Sequence, residues 1–149
     1  MGSRQPSIDT QPMTDAQSSI HTPDSTPPWC ELSQRFYFEA AHTLRRAIET
    51  EGSLRIHGHT YEAEVTVAGV PDAQSGMLVD LGYLRREVAR VREMLDHRFL
   101  DEVKDLGPAT LENLCAFIRK QLKPSLPQLS AVMVERKASG DRCVLRESI

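Results

Sequence analysis

One stretch, running Ile56-His57-Gly58-His59-Thr60-Tyr61-Glu62-Ala63-Glu64-Val65-Thr66-Val67, constrains the fold more than any other part of the chain. Tyr61, Ala63, Val65 and Val67 alternate with Glu62, Glu64 and Thr66. Successive side chains of a strand point to opposite sides, so this period of two reads as a strand with one buried face. His57 and His59 extend the apolar series, which turns both imidazoles inward. A lone charged ring there is costly, whereas a neutral ring bound to a metal is not. Upstream, the run at about 31–42 is also strand-like, and its apolar face (Leu32, Phe36, Phe38, Ala40) ends on His42. Antiparallel pairing of the two runs brings His42 beside His57 and His59. Three imidazoles with an open fourth position match a catalytic zinc centre. The other reading is three unrelated histidines satisfied by hydrogen bonds, and a short His-x-His pair does not by itself separate the two.

A length of 149 residues suggests one domain. Residues 1–28 are rich in Ser, Thr, Pro, Gln and Asp and close on Pro27 and Pro28, which reads as a disordered extension containing His21. The folded domain is expected over 29–149. A net charge of −3 argues against a general nucleic-acid or membrane binder. No run is apolar and long enough to span a bilayer, and no charged-then-apolar leader opens the chain, so a cytoplasmic location is expected. Cys30, Cys115 and Cys143 are odd in number and widely spaced, fitting reduced thiols better than a disulfide framework.

Between the two strands, residues 43–55 hold Arg45, Arg46, Glu49, Glu51, Ser53 and Arg55. They form a connector that passes near the histidines, and most of it reads as a solvated charged loop. Asp80 is a good N-cap, and Leu84, Val88, Val91 and Leu95 then fall on one helical stripe. Asp96-His97 follows, either as a helix-end pair or as a base with its orienting carboxylate. Thr110 caps a second helix bearing Leu111, Leu114, Phe117, Ile118 and Leu122, which Pro124 and Pro127 end. Cys115 belongs to its core side, and Glu112 suits the helix dipole. Apolar runs at 130–134 and 143–145 flank a turn at Ser139-Gly140-Asp141. The order is β-β-α-α-β-β. An α+β domain is expected, with a four-stranded antiparallel sheet and both helices on one face. Its free edges make oligomerisation plausible.

Five blocks in order carry a family resemblance: Phe38-Glu39-Ala40-Ala41-His42, His57-Gly58-His59-Thr60-Tyr61, Gly76-Met77-Leu78-Val79-Asp80, Leu95-Asp96-His97, and Thr110-Leu111-Glu112-Asn113. The chain from about residue 31 onward resembles the 6-pyruvoyl-tetrahydropterin synthase / 6-carboxy-tetrahydropterin synthase family. The resemblance implies a tunnelling fold (T-fold) assembled as a homo-oligomer, usually a hexamer. It also implies Zn2+ on His42, His57 and His59, and a small-molecule pterin substrate, 7,8-dihydroneopterin triphosphate. The branch it favours releases acetaldehyde and triphosphate and yields 6-carboxy-tetrahydropterin, a queuosine and deazapurine precursor. The other branch yields 6-pyruvoyl-tetrahydropterin. Further possibilities are a dihydroneopterin-cleaving paralog and a catalytically silent subunit that binds zinc or pterin. In roles implied by the resemblance, Asp96 and His97 move protons while Thr110 and Glu112 contact the pterin.

Two departures stand out. The family's acid/base cysteine, four residues before His57, is here Ser53, whose hydroxyl is far harder to deprotonate than a thiol. Glu49 and Glu51 lie in the same connector and are candidates to take over. The family's pterin-anchoring Glu follows a strand Val by two positions. Here Glu135 directly follows Val134, and Arg136 holds the expected place. A one-residue slip flips a side chain to the other face, so either the strand bulges or Glu135 is a surface carboxylate.

Overall fold

The computed structural model describes residues 26–148. The extension at 1–28, with His21, lies outside the described residues except for its last three positions. The elements are β1 (Cys30–His42), α1 (Thr50–Leu54), β2 (His57–Gly69), α2 (Leu81–Leu95), β3 (Arg98–Phe99), a 3-10 turn (Leu100–Glu102), α3 (Leu111–Leu122), β4 (Leu129–Arg136) and β5 (Asp141–Arg146).

The α+β class stands, as do the four antiparallel strands, ordered β1-β2-β4-β5. The sheet is nonetheless five-stranded and mixed. β3 runs parallel along the free edge of β1, pairing Ala40 with Arg98 and Ala41 with Phe99. A two-residue strand carries no periodic signal, which is why the sequence pattern does not reveal it. The short helix α1 also replaces part of the expected loop at 43–55.

The β1–β2 register pairs His42 with His57 and Ala40 with His59. Strand parity then buries Phe36, Phe38 and Ala40 together with Tyr61, Ala63, Val65 and Val67. The Phe38 and Tyr61 rings stack with centroids 4.9 Å apart. Against this face lie the buried stripes of α2 (Leu84, Val88, Val91, Leu95) and α3 (Leu114, Cys115, Phe117, Ile118, Leu122). Each fully buried Leu, Val or Phe contributes roughly 1.5–3 kcal/mol, so this two-layer core holds the histidine-bearing strand ends rigidly. Both expected caps form: Asp80 accepts from the Tyr83 N–H and Thr110 from the Asn113 N–H.

The opposite face of the sheet is not simply solvated. Glu62 is only 2 % exposed, with Lys137 Nζ at 2.5 Å and Arg35 Nη1 at 3.3 Å. Lys137 and then the Tyr37 hydroxyl, by hydrogen bonding, hold its carboxyl below the usual range. Among the described residues no helix is long and apolar enough to cross a membrane.

Candidate metal centre and cavity

His42, His57 and His59 converge as expected, because adjacent antiparallel strands end their inward faces at the same level. His42 is buried and the other two are partly so, with one ring nitrogen of each within 4.8 Å of the others. A tetrahedral zinc with bonds of about 2.1 Å separates its nitrogens by about 3.4 Å, so a modest closure completes the set.

The hydrogen bonding fits a cation. His57 Nδ1 donates to the Arg55 carbonyl at 2.7 Å, which leaves the Nε2 lone pair free. Among the described residues, neither ring nitrogen of His42 has a hydrogen-bond partner although the ring is buried. Arg136 Nη1 donates to His59 Nε2 at 3.2 Å, so that lone pair is engaged by the guanidinium, which a metal on this nitrogen would have to displace. Burial, then Arg136 and the neighbouring imidazoles, pushes His59 down to about 4. Burial and then His57 lower His42 as well. Burial that disfavours the protonated forms of His42 and His59 suits a divalent metal, which binds the neutral imidazole.

Two of the three imidazoles open onto a cavity of about 630 Å³, a size typical of small-molecule sites. His42 and His57 line it together with Ser53, Thr110, Glu112 and Arg136. The caps explain part of this convergence, since Thr110 starts α3 at the cavity wall and projects Glu112 from the first turn.

Ser53 is 6 % exposed, and its hydroxyl is engaged. It donates to the Thr50 carbonyl at 3.0 Å and accepts from the Arg46 N–H at 3.3 Å. Glu49, not Glu51, lines the cavity, from a left-handed backbone conformation (φ 59) and with a 3.3 Å ion pair to Arg46. Left-handed geometry at a non-glycine residue costs on the order of 1–2 kcal/mol and tends to cluster at functional sites.

Asp96 and His97 do not join this cavity. They flank β3, and His97 lines a separate depression with Glu39, Ala41, Gly58, His59 and Thr60. Glu39, Ala41 and Thr60 have the outward parity of β1 and β2, whereas His59, with Ala40, has the inward parity, so the depression reaches one ring of the triad. The pair itself is built as the sequence suggests. Asp96 accepts from the Glu39 N–H at 2.9 Å and contacts Arg92 Nη2 at 2.7 Å and His97 Nδ1 at 3.2 Å. The Glu39 amide foremost, with help from His97 and Arg92, holds the Asp96 carboxyl below its usual range. The His97 side chain is 75 % exposed and its backbone is left-handed (φ 56).

Glu135 also stands apart. β2 and β4 pair without a slip from Glu62–Glu135 to Thr66–Ala131, and the irregularity falls beyond, at Thr66/Val67. No bulge rescues Glu135, which shares the outward face with Glu62, while Arg136 turns inward beside His59. Sequence reasoning missed three inward groups. Arg136 was legible from the parity of Val132 and Val134. Tyr61 was assigned to the apolar face, yet its hydroxyl on the cavity wall is a buried atom with no hydrogen-bond partner among the described residues, and burial raises it to about 12. Cys143 reaches the cavity from β5.

Comparison with known proteins agrees with this architecture. The profile of the family described as "6-pyruvoyl tetrahydropterin synthase" matches residues 31–147. A dihydroneopterin monophosphate aldolase of Pyrococcus furiosus is 36% identical over 96 residues, covering 64% of this chain and 81% of the relative. The human 6-pyruvoyl tetrahydrobiopterin synthase is 31% identical over 111 residues, covering 65% and 77%. A 6-carboxy-5,6,7,8-tetrahydropterin synthase of Bacillus subtilis is 35% identical over 91 residues, covering 60% and 59%. Among solved structures, the Caenorhabditis elegans 6-pyruvoyl tetrahydropterin synthase superposes with a TM-score of 0.70 at 27% identity, over 82% of this chain and 98% of that one.

Proposed function

The chain belongs to the 6-pyruvoyl tetrahydropterin synthase family, and from that premise we propose that it is a zinc-dependent pterin lyase. The reading follows 6-carboxy-tetrahydropterin synthase, with 7,8-dihydroneopterin triphosphate converted to 6-carboxy-tetrahydropterin, acetaldehyde and triphosphate. The observation that carries it is the trio of converging imidazoles, two of which line a cavity that also holds Thr110 and Glu112. His42, His57 and His59 would hold the metal, which supplies Lewis acidity toward substrate oxygens.

The protein's own residues account for orientation. The Glu112 carboxylate is suited to paired N–H donors of a pterin ring, and the Thr110 hydroxyl, already accepting from Asn113, supplies a polar edge beside it. The Ser53 proton is committed to the Thr50 carbonyl, so Ser53 fixes the connector and is poorly placed to shuttle protons. Glu49 is the carboxylate that takes the base role within the cavity. Asp96 orients His97 outside the main cavity, and we assign this pair to the triad of a neighbouring copy in a homo-oligomer, for which a hexamer is the family expectation. The assembly acts in the cytoplasm.

A second reading is carbon–carbon cleavage of a dihydroneopterin side chain. It is favoured by Ser53 in place of the cysteine and by similarity to a relative named as an aldolase.

Product analysis tests both. Zinc-loaded protein is incubated with 7,8-dihydroneopterin triphosphate and with the monophosphate, beside Ser53→Cys, and pterins and aldehydes are identified by mass spectrometry. 6-Carboxy-tetrahydropterin with acetaldehyde from wild type supports the first reading. A 6-hydroxymethyl pterin from the monophosphate supports the second. No turnover by either protein refutes both.

A further inference from the structure

We infer that Cys115 and Cys143 form an oxidative modification site, in which a hydroperoxide oxidises Cys143 at the cavity wall and Cys115 then closes a disulfide between α3 and β5. The inference concerns two side chains that the proposed chemistry leaves unused, and it holds whatever ligand the cavity takes.

The pairing follows from how α3 lies on the sheet. Cys143 pairs with Val134 across β4–β5, and Val134 pairs with Ala63, so Cys143 has the inward parity of the core side. Cys115 follows Leu111 and Glu112 by one helical turn and shares their side of α3, and those two residues line the cavity. The helix packs on β4 and β5, which brings the Cys115 thiol to 3.6 Å from the Cys143 carbonyl, to which it donates. All three cysteines are free, but they differ in access. Cys115 is fully buried, whereas Cys143 is partly exposed and lines the cavity. Cys30 is exposed at the far end of β1, about 20 Å along the strand from Phe36, which stands level with Ala63, so it cannot join the pair.

This difference in access sets the order of events. Burial foremost, then the charge and hydrogen bonding of the Cys143 thiol, pushes Cys115 up to about 12, so Cys115 keeps its proton and meets no oxidant directly. Attack on the oxidant therefore falls to Cys143. Its thiolate sulfur bonds to one oxygen of the hydroperoxide and the O–O bond breaks. The other oxygen leaves as an alcohol, or as water from hydrogen peroxide, carrying the thiol proton. Cys143 is then a sulfenic acid. The Cys115 sulfur next attacks the Cys143 sulfur, the S–O bond breaks, and the hydroxyl departs as water with the Cys115 proton. Two thiols lose two electrons to one hydroperoxide. The cross-link takes the Cys143 thiol off the cavity wall and ties that wall to the helix that carries Glu112.

The experiment treats the zinc-loaded full chain with a small excess of hydrogen peroxide, blocks free thiols with iodoacetamide and maps peptides by mass spectrometry without reductant. The Cys115 and Cys143 peptides are expected joined, with two hydrogens lost, and dithiothreitol is expected to part them. Cys143→Ser is expected to slow oxidation of Cys115 by about tenfold or more, because the buried sulfur has lost the partner that meets the oxidant. Cys115→Ala keeps the core apolar, and in it Cys143 is expected to be trapped by dimedone as the sulfenic acid. Cys30→Ser is expected to leave the cross-link unchanged. If folded wild type yields no Cys115–Cys143 peptide, whether Cys143 stays reduced or is oxidised alone, the inference is overturned. It is also overturned if Cys115 oxidises equally fast in Cys143→Ser, or if the cross-link forms only in urea. The wild-type map decides the matter even where a variant fails to fold.

Discussion

The histidine cluster gives the metal-free protein a defined acid sensitivity. His59 is pushed from its ordinary 6.5 down to about 4, chiefly by burial and then by Arg136. The folded state thus resists protonation that the unfolded chain accepts. Between those two values the unfolded state binds more protons, so stability falls as pH falls and is level above 6.5. From pH 7 to pH 5 the affected interval is about 1.5 pH units, or roughly 2 kcal/mol at 1.36 kcal/mol per unit. Solvent reaches part of this ring, and screening reduces the figure to about 1–2 kcal/mol. Urea unfolding with a chelator present, at pH 7, 6 and 5, measures it in wild type and in His59→Gln. Wild type should lose about 1–2 kcal/mol more than the variant over that range. The residual loss in the variant belongs to His42, shifted in the same direction, and to the carboxylates. Parallel pH profiles for the two proteins would refute the reasoning.

His57→Ala removes one of three imidazoles, and zinc affinity should fall by more than about a hundredfold in a chelator competition; unchanged metal content sinks the triad. Arg136→Ala removes a cation 3.2 Å from His59 Nε2, and the same assay should show zinc binding tighten by about tenfold. Thr110→Ala deletes the α3 cap, which should cost about 1 kcal/mol in urea midpoint analysis; no loss would mean that water replaces the hydroxyl.

The triad was readable because period-two alternation and an apolar face ending on histidine are local signals, and one pairing register joins them. The α2 and α3 caps and stripes were readable for the same reason. What escaped depends on how elements stack. The two-residue β3 exists only because the chain leaving α2 runs along the β1 edge, with the His97 N–H donating to the Glu39 carbonyl at 2.6 Å. Adjacent in sequence to a helix end, Asp96-His97 carried no mark of which face of the sheet it would serve. Arg136 shows the reverse: strand parity placed it inward, and only the expectation of a carboxylate nearby drew attention to Glu135.

The separation of the two chemical groups has a consequence that can be tested by mixing. His42 and His57 line the main cavity, whereas His97 lies outside it, in a depression shared with outward residues of β1 and β2 and with His59. On the proposed reading, a proton moved by His97 goes to a ligand held by another copy. His42→Ala and His97→Ala are then each inactive for different reasons, one lacking a metal ligand and one lacking the proton carrier. In oligomers reassembled from equal amounts of both, a site is intact when the His97→Ala chain supplies the triad and the His42→Ala chain supplies His97. Random assembly makes that about one site in four. Activity near a quarter of wild type should therefore return on co-refolding, measured as pterin product formed. If the mixture stays as inactive as its components, the two groups work within one chain or His97 is not needed, and the assignment across copies is wrong.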